Sequence, residues 1–310
     1  MRNEANRCVI WGIGVDYERI LNQIFFEIHK GNMTVKALVC RQQDKYCSSK
    51  DGFSVIAKEE LKLDDFDYLI ITSKRYFKEI KDEAIKLGVV EHRIIEGAKF
   101  ELPLFDFGRY VQLLENPITI LSDDCWGAYA YNRLGLRFSS PLMNIQWDTD
   151  EYAKFVMDPM FYLQTELTMV QEGNLPNGVY PIGQLGDNDR NVKLQLVHSI
   201  DFATAKELWD RRKKRINPNN VFVKMGIKCS DKNKAKYLKI FEQVPYNKVL
   251  FYGGNTDAEG VFKTNRFTWH QSNIELVKFW DYSDWVRLHY YESLDLLKLL
   301  TGAKDYSRDK

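Results

Sequence analysis

Four short apolar runs in the first hundred residues are separated by segments in which apolar residues recur every three to four positions. The runs are CVIW (Cys8–Trp11), VKALVC (Val35–Cys40), FSVI (Phe53–Ile56) and YLIIT (Tyr68–Thr72). After the first run comes Gly12-Ile13-Gly14, then a stretch placing Ile20, Leu21, Ile24 and Ile28 on one helical face. Gly31-Asn32 closes that helix. A second helix, near Arg75–Leu87, stops at Gly88, where glycine accepts the left-handed cap conformation. Ile94-Ile95 ends the unit. Strands alternating with helices at this spacing require a parallel sheet, because each return crossing is made by a helix.

A chain of 310 residues exceeds one typical core. The expected architecture is α/β: a Rossmann-like parallel sheet over residues 1–100, then a larger α/β domain over 101–310. Lys and Arg number 44 against 43 Asp and Glu, a net charge of +1. No global field therefore steers the chain to nucleic acid or an acidic membrane. No apolar run approaches the roughly 18 residues needed to span a bilayer, and the first residues lack the pattern of a secretory signal. Cys8, Cys40, Cys47, Cys125 and Cys229 show neither disulfide nor zinc spacing, which reads as reduced thiols in a cytoplasm.

Gly12-x-Gly14 allows close approach of a pyrophosphate to a helix start. Tyr17 stands where the dinucleotide pattern has its third glycine, and Cys40-Arg41 where an acid would hold a ribose; Asp44 is the nearest carboxylate. These departures argue against NAD. They leave a sugar nucleotide held at Gly12 and Gly14, or a tight β-to-α turn with no cofactor.

In the second unit, the strand Ile118–Leu121 runs into Ser122-Asp123-Asp124-Cys125-Trp126-Gly127. Ala128, Tyr131 and Leu134 follow on one helical face that ends at Gly135. With Ser122 or Asp123 as N-cap, Cys125 falls in the first turn of a helix, where the helix dipole favours a thiolate. Asp123 and Asp124 oppose that charge unless they point elsewhere. The rival reading is a cysteine packed as a small apolar residue. A thiol centre needs a base. VKLQLVH (Val192–His198) alternates as a strand and ends in His198, with His270 as the other candidate. Asp201 and Asp187 are the carboxylates that could orient the imidazole.

Arg211-Arg212-Lys213-Lys214-Arg215 ends the next helix, whose inner face carries Ala205, Leu208 and Trp209. Cations suit a helix C-terminus, and one arginine facing the Cys125 cleft could hold an anionic substrate. Val221–Met225 and Val249–Tyr252 read as buried strands flanking a helix at Asn233–Gln243. Leu294, Leu297 and Leu300 read as a docked face.

Residues IWGIGVDYERIL, VKALV, DDFDYLIIT and IKLGVVEHRII of the first unit resemble the N-terminal domain of bacterial sugar-modifying acyltransferases. Ser122–Asn144 and Pro181–Val223 resemble an uncharacterised bacterial family grouped with exopolysaccharide biosynthesis proteins. They share the Cys-Trp-Gly turn, Ser140-Pro141 and the Trp-x-Arg-Arg-Lys-Lys-Arg-Ile-Asn run in order. A group of proposed papain-like cysteine peptidases has a similar Cys, Ser-Pro, His, Arg order. The resemblance implies surface-polysaccharide metabolism, with Cys125 and His198 at the matching positions.

Two functions follow as expectations. One is a Cys125–His198 thiol hydrolase or acyltransferase supported by Asp201, with backbone amides at the helix start holding the oxyanion. Arg211, Arg212 and Ser140 would bind a small-molecule or sugar-linked substrate. The other is a non-catalytic or glycosyltransferase-like sugar-nucleotide binder.

Overall fold

The computed structural model describes residues 4–40, 48–143, 145–175, 178–227, 232–252, 261–263 and 295–303. The chain is α/β and divides into two compact units, Met1–Glu115 and Asn116–Lys310.

The first unit is the parallel sheet that the alternating runs require. Its strands are β1 (Asn6–Trp11), β2 (Met33–Val39), β3 (Ser49–Lys50), β4 (Phe53–Ile56), β5 (Tyr68–Ile71) and β6 (Ile94–Glu96), in the spatial order β3-β4-β2-β1-β5-β6. Every pairing is parallel except the short β3–β4 hairpin. Helix α1 (Val15–His29) crosses from β1 to β2, and α2 (Phe77–Lys86) from β5 to β6. Val9, Trp11, Val39, Leu69, Ile71, Ile80 and Ala84 close one core, which accounts for the near-continuous apolar character of the runs.

The first compact unit runs on to Glu115, and a buried carboxylate ties in the residues that follow β6. Glu27 of α1 is fully buried. It accepts the Phe107 amide at 3.0 Å and the side chains of Gln23 and Asn32 at 3.0 and 2.6 Å. Those bonds fix α3 (Phe107–Glu115) to the first unit. Phe100, Phe105, Phe107 and Tyr110 add a run of ring contacts with centroids 4.7–5.7 Å apart.

The second unit holds a parallel sheet of β7 (Thr119–Ser122), β11 (Val221–Ile227), β12 (Asn247–Tyr252) and β13 (Val261–Lys263), in the order β13-β12-β11-β7. A separate antiparallel sheet is formed by β8 (Thr168–Leu175), β9 (Gly178–Asp187) and β10 (Arg190–Gln195). The helices are α4 (Trp126–Leu134), α5 (Thr149–Met157), α6 (Pro159–Gln164), α7 (Phe202–Lys213), α8 (Lys234–Gln243) and α9 (Leu296–Leu300). Leu121, Trp147, Tyr152, Phe155, Leu185, Leu194, Trp209, Val223 and Phe241 share a core that draws on both sheets. Leu297 and Leu300 are buried as the docked face requires, whereas Leu294 lies outside the described residues.

Candidate functional site

Strand β7 is buried throughout and delivers the chain to the carboxyl edge of the parallel sheet, where open α/β sheets commonly bind ligands. Cys125 is the N-cap residue of α4, one step before the first turn expected from sequence. The cap itself comes from Asp124, whose Oδ1 accepts the Trp126 amide at 2.9 Å. One of the amides that could have served an oxyanion is thereby engaged. Gly127 completes the motif for a steric reason. A Cβ there would lie 3.2 Å from Ser122 Cβ and 3.3 Å from Ile120 Cγ2, so its absence lets α4 settle closely on β7.

The paired acids do point elsewhere. Lys224 of β11, 1% exposed, stands opposite Ser122 in the sheet register. Its Nζ donates to Asp123 Oδ1 at 2.7 Å and to Asp124 Oδ2 at 2.6 Å. Asp123 Oδ2 also accepts the Gly226 amide at 2.8 Å, and Asp124 Oδ1 accepts the Ser122 hydroxyl at 3.1 Å. Burial pushes the Asp123 carboxyl up to about 6, with Lys224 opposing that shift and Asp124 adding to it. Burial also acts upward on Asp124, but Lys224 and the bonds from Trp126 and Ser122 outweigh it and hold the carboxyl below its usual range. Lys224 stays charged: burial would lower its pKa, and the two carboxylates more than reverse that.

His198 reaches the thiol through a short relay of main-chain bonds. Trp147 donates its amide to the Asp123 carbonyl at 3.1 Å, and Gln146 pairs with Gln195 through two bonds of 2.8 and 3.0 Å. β10 ends at Gln195, and a turn closed by the Ser199 amide on the Leu196 carbonyl follows. The strand therefore stops before the histidine, and the turn presents the exposed ring. Cys125 Sγ and His198 Nε2 lie 3.4 Å apart, within reach for proton exchange.

The other sequence candidates take different places. Asp201 is the N-cap of α7, accepting the Thr204 amide at 2.7 Å and its hydroxyl at 3.1 Å. Those two bonds hold its carboxyl below the usual range. Asp187 pairs with Arg190 at the tip of the β9–β10 hairpin, at the end opposite the one leading to His198. Ser140 is fully buried, with its hydroxyl accepting the Leu142 amide at 3.2 Å, a turn contact and not an exposed substrate donor. Arg211 and Arg212 close α7, about 15 Å along the helix from Asp201. His270 lies outside the described residues.

In the first unit, Gly12 has φ +105°, and a Cβ there would meet Thr72 Oγ1 at 2.7 Å. The same hydroxyl donates to the Gly12 carbonyl at 2.7 Å. Gly14 caps α1 with nothing within 4 Å of its Cβ position. Asp16 and Glu18 occupy the first helical turn, and Asp16 accepts the Lys74 amide at 3.0 Å. Gly12 thus has a conformational reason of its own while Gly14 has open space and extended backbone, and the acids disfavour an anion at this helix start.

Residues 96–301 match the family described as Domain of unknown function (DUF1919). The chain belongs to the DUF1919 family. The DUF1919 match takes in the thiol, the imidazole and both sheets of the second unit. Residues 4–95 match the family described as C2185-like, N-terminal. An uncharacterised protein of Haemophilus influenzae is 26% identical over 194 residues, 62% of this chain and 88% of its own. Aspartate semialdehyde dehydrogenase II from Vibrio cholerae, solved in complex with ASA, aligns with a TM-score of 0.24 and 12% identity. That alignment covers 52% of this DUF1919 chain and 48% of the dehydrogenase, and the likeness is too slight to bear on fold or function.

Proposed function

We propose that the second unit is an acyl-transfer or hydrolytic enzyme in which Cys125 is the nucleophile and His198 carries the proton. The observation behind this reading is the 3.4 Å approach of Sγ to Nε2 at the carboxyl edge of a parallel sheet. In the first half-reaction the thiolate attacks an acyl carbon, the bond to the leaving group breaks, and the imidazolium protonates that group. In the second, water or an acceptor hydroxyl gives its proton to His198 and attacks the thioester, releasing product and thiolate. Lys224 and its carboxylates act as the floor that positions the Cys125 turn. The resemblance of the Cys-Trp-Gly, Ser-Pro and basic segments to exopolysaccharide biosynthesis proteins is what supports a small or sugar-linked substrate of surface-polysaccharide metabolism.

The test is turnover of p-nitrophenyl acetate with intact-mass detection of the acyl-enzyme. Wild type shows a burst of nitrophenolate and an acetyl group mapped to Cys125. Cys125→Ser abolishes both, and His198→Ala lowers the acylation rate by about a hundredfold. Acylation that is absent in wild type, or equal in His198→Ala, overturns the proposal.

A further inference from the structure

Three cations of the basic run at the end of α7, Arg212, Lys213 and Arg215, have neutral structural partners. Lys213 Nζ donates to the carbonyls of Gln164 and Thr165 at 3.1 and 2.9 Å, satisfying the end of α6. Arg215 Nη1 donates to the Phe138 carbonyl at 3.3 Å, and the Arg212 guanidinium lies 5.8 Å from the centre of the Phe138 ring. Phe138 follows α4 directly after Arg137, so cations from two separate segments converge there. Among the described residues, Arg137, Arg211, Arg212 and Arg215 form no ion pair with a carboxylate. Arg212 and Arg215 are both partly buried. Burial and the neighbouring arginines together push their guanidinium groups below the usual range.

A helix C-terminus explains cations on α7 alone. It does not explain Arg137, which arrives from another segment, nor the partial burial of like charges without a counterion. That arrangement is unfavourable until an anion completes it. We propose that Arg137, Arg211, Arg212 and Arg215 form a binding site for a phosphate-bearing small molecule, with the guanidinium forks taking its oxygens. Multiple arginines match a di- or polyanionic group better than a single carboxylate. The site lies toward the amino edge of the sheet: Asn217, two residues after Arg215, donates its amide to Thr119 Oγ1 at 2.8 Å, where β7 begins. It is therefore a second site, apart from the thiol at the carboxyl edge. A net charge of +1 favours a compact anion over nucleic acid or membrane.

Titration calorimetry of the full chain with pyrophosphate tests the assignment. One pyrophosphate binds per chain and raises the melting temperature. Arg212→Gln with Arg215→Gln weakens binding at least tenfold, and the exposed Arg137→Gln, which leaves the Phe138 packing intact, weakens it severalfold. Without ligand, these variants melt no lower than wild type, because like-charge repulsion is relieved. The proposal is overturned by no saturable binding, by equal affinity in the variants, or by association with phosphatidylglycerol vesicles or duplex DNA in the absence of pyrophosphate binding.

Discussion

At the scale of single residues, Lys224 is the group on which the thiol turn rests. Replacing it with methionine leaves Asp123 and Asp124 facing each other beneath Cys125 with no cation. Losing one partner from a buried ion cluster is expected to destabilise by about 3–5 kcal/mol, readable as a shift of the urea midpoint. Asp123 supplies a pH signature of opposite sign to ordinary acid denaturation. Its folded pKa is raised to about 6, above the unfolded value of about 3.9. The native state therefore binds more protons between those values, and this group's contribution weakens as pH rises through 6. Lowering the pH from about 7 to about 5 should favour wild type over Asp123→Asn by on the order of 1 kcal/mol. A constant difference between the two proteins in paired urea titrations would contradict this. Sequence reading placed Asp123 and Asp124 beside the thiol but did not supply their cation. The available signal was one lysine in the apolar strand VFVKMGI, since a charge in a strand covered on both faces must find a buried partner.

Elements carry the rest of the site. Asp201 tests whether α7 needs a cap or His198 needs a carboxylate, because asparagine caps as well as aspartate but carries no charge. Its bonds to Thr204 make the cap the expected answer. Asp201→Asn should keep both the melting temperature and the rate of Cys125 acylation. Asp201→Ala should lower the melting temperature by a few degrees. A large loss of acylation in the asparagine variant, with the fold intact by circular dichroism, would restore Asp201 as the orienting group. Most elements of the first unit were legible because its continuous apolar runs and period-3.6 patterns are short, clean and punctuated by Gly31 and Gly88. His198 was legible only as a strand end; the turn that presents it depends on the Gln146–Gln195 pairing, a contact between distant segments. The β8–β9 hairpin escaped because Met169, Val170 and Val179 are exposed, so apolar content did not mark an inner face.

At the scale of the whole molecule, each unit closes its own core, around Trp11, Leu69 and Ile71 in the first and around Tyr152, Trp209 and Val223 in the second. A lesion confined to one core should therefore loosen that unit first. Gly12→Ala is such a lesion for the first unit. It forces a side chain onto φ +105° and drives a methyl carbon to 2.7 Å from Thr72 Oγ1. The expected destabilisation is about 2 kcal/mol or more. Gly14→Ala, with extended backbone and open space, is its near-neutral control. Hydrogen exchange followed by mass spectrometry separates the outcomes. Gly12→Ala should speed exchange in peptides covering β1 and β5 while peptides covering β7 and β11 keep their protection, and Lys224→Met should give the reverse pattern. If either variant loosens both sets of strands to the same degree, the two cores melt as a single cooperative body, and the thiol turn draws its stability from all of the chain.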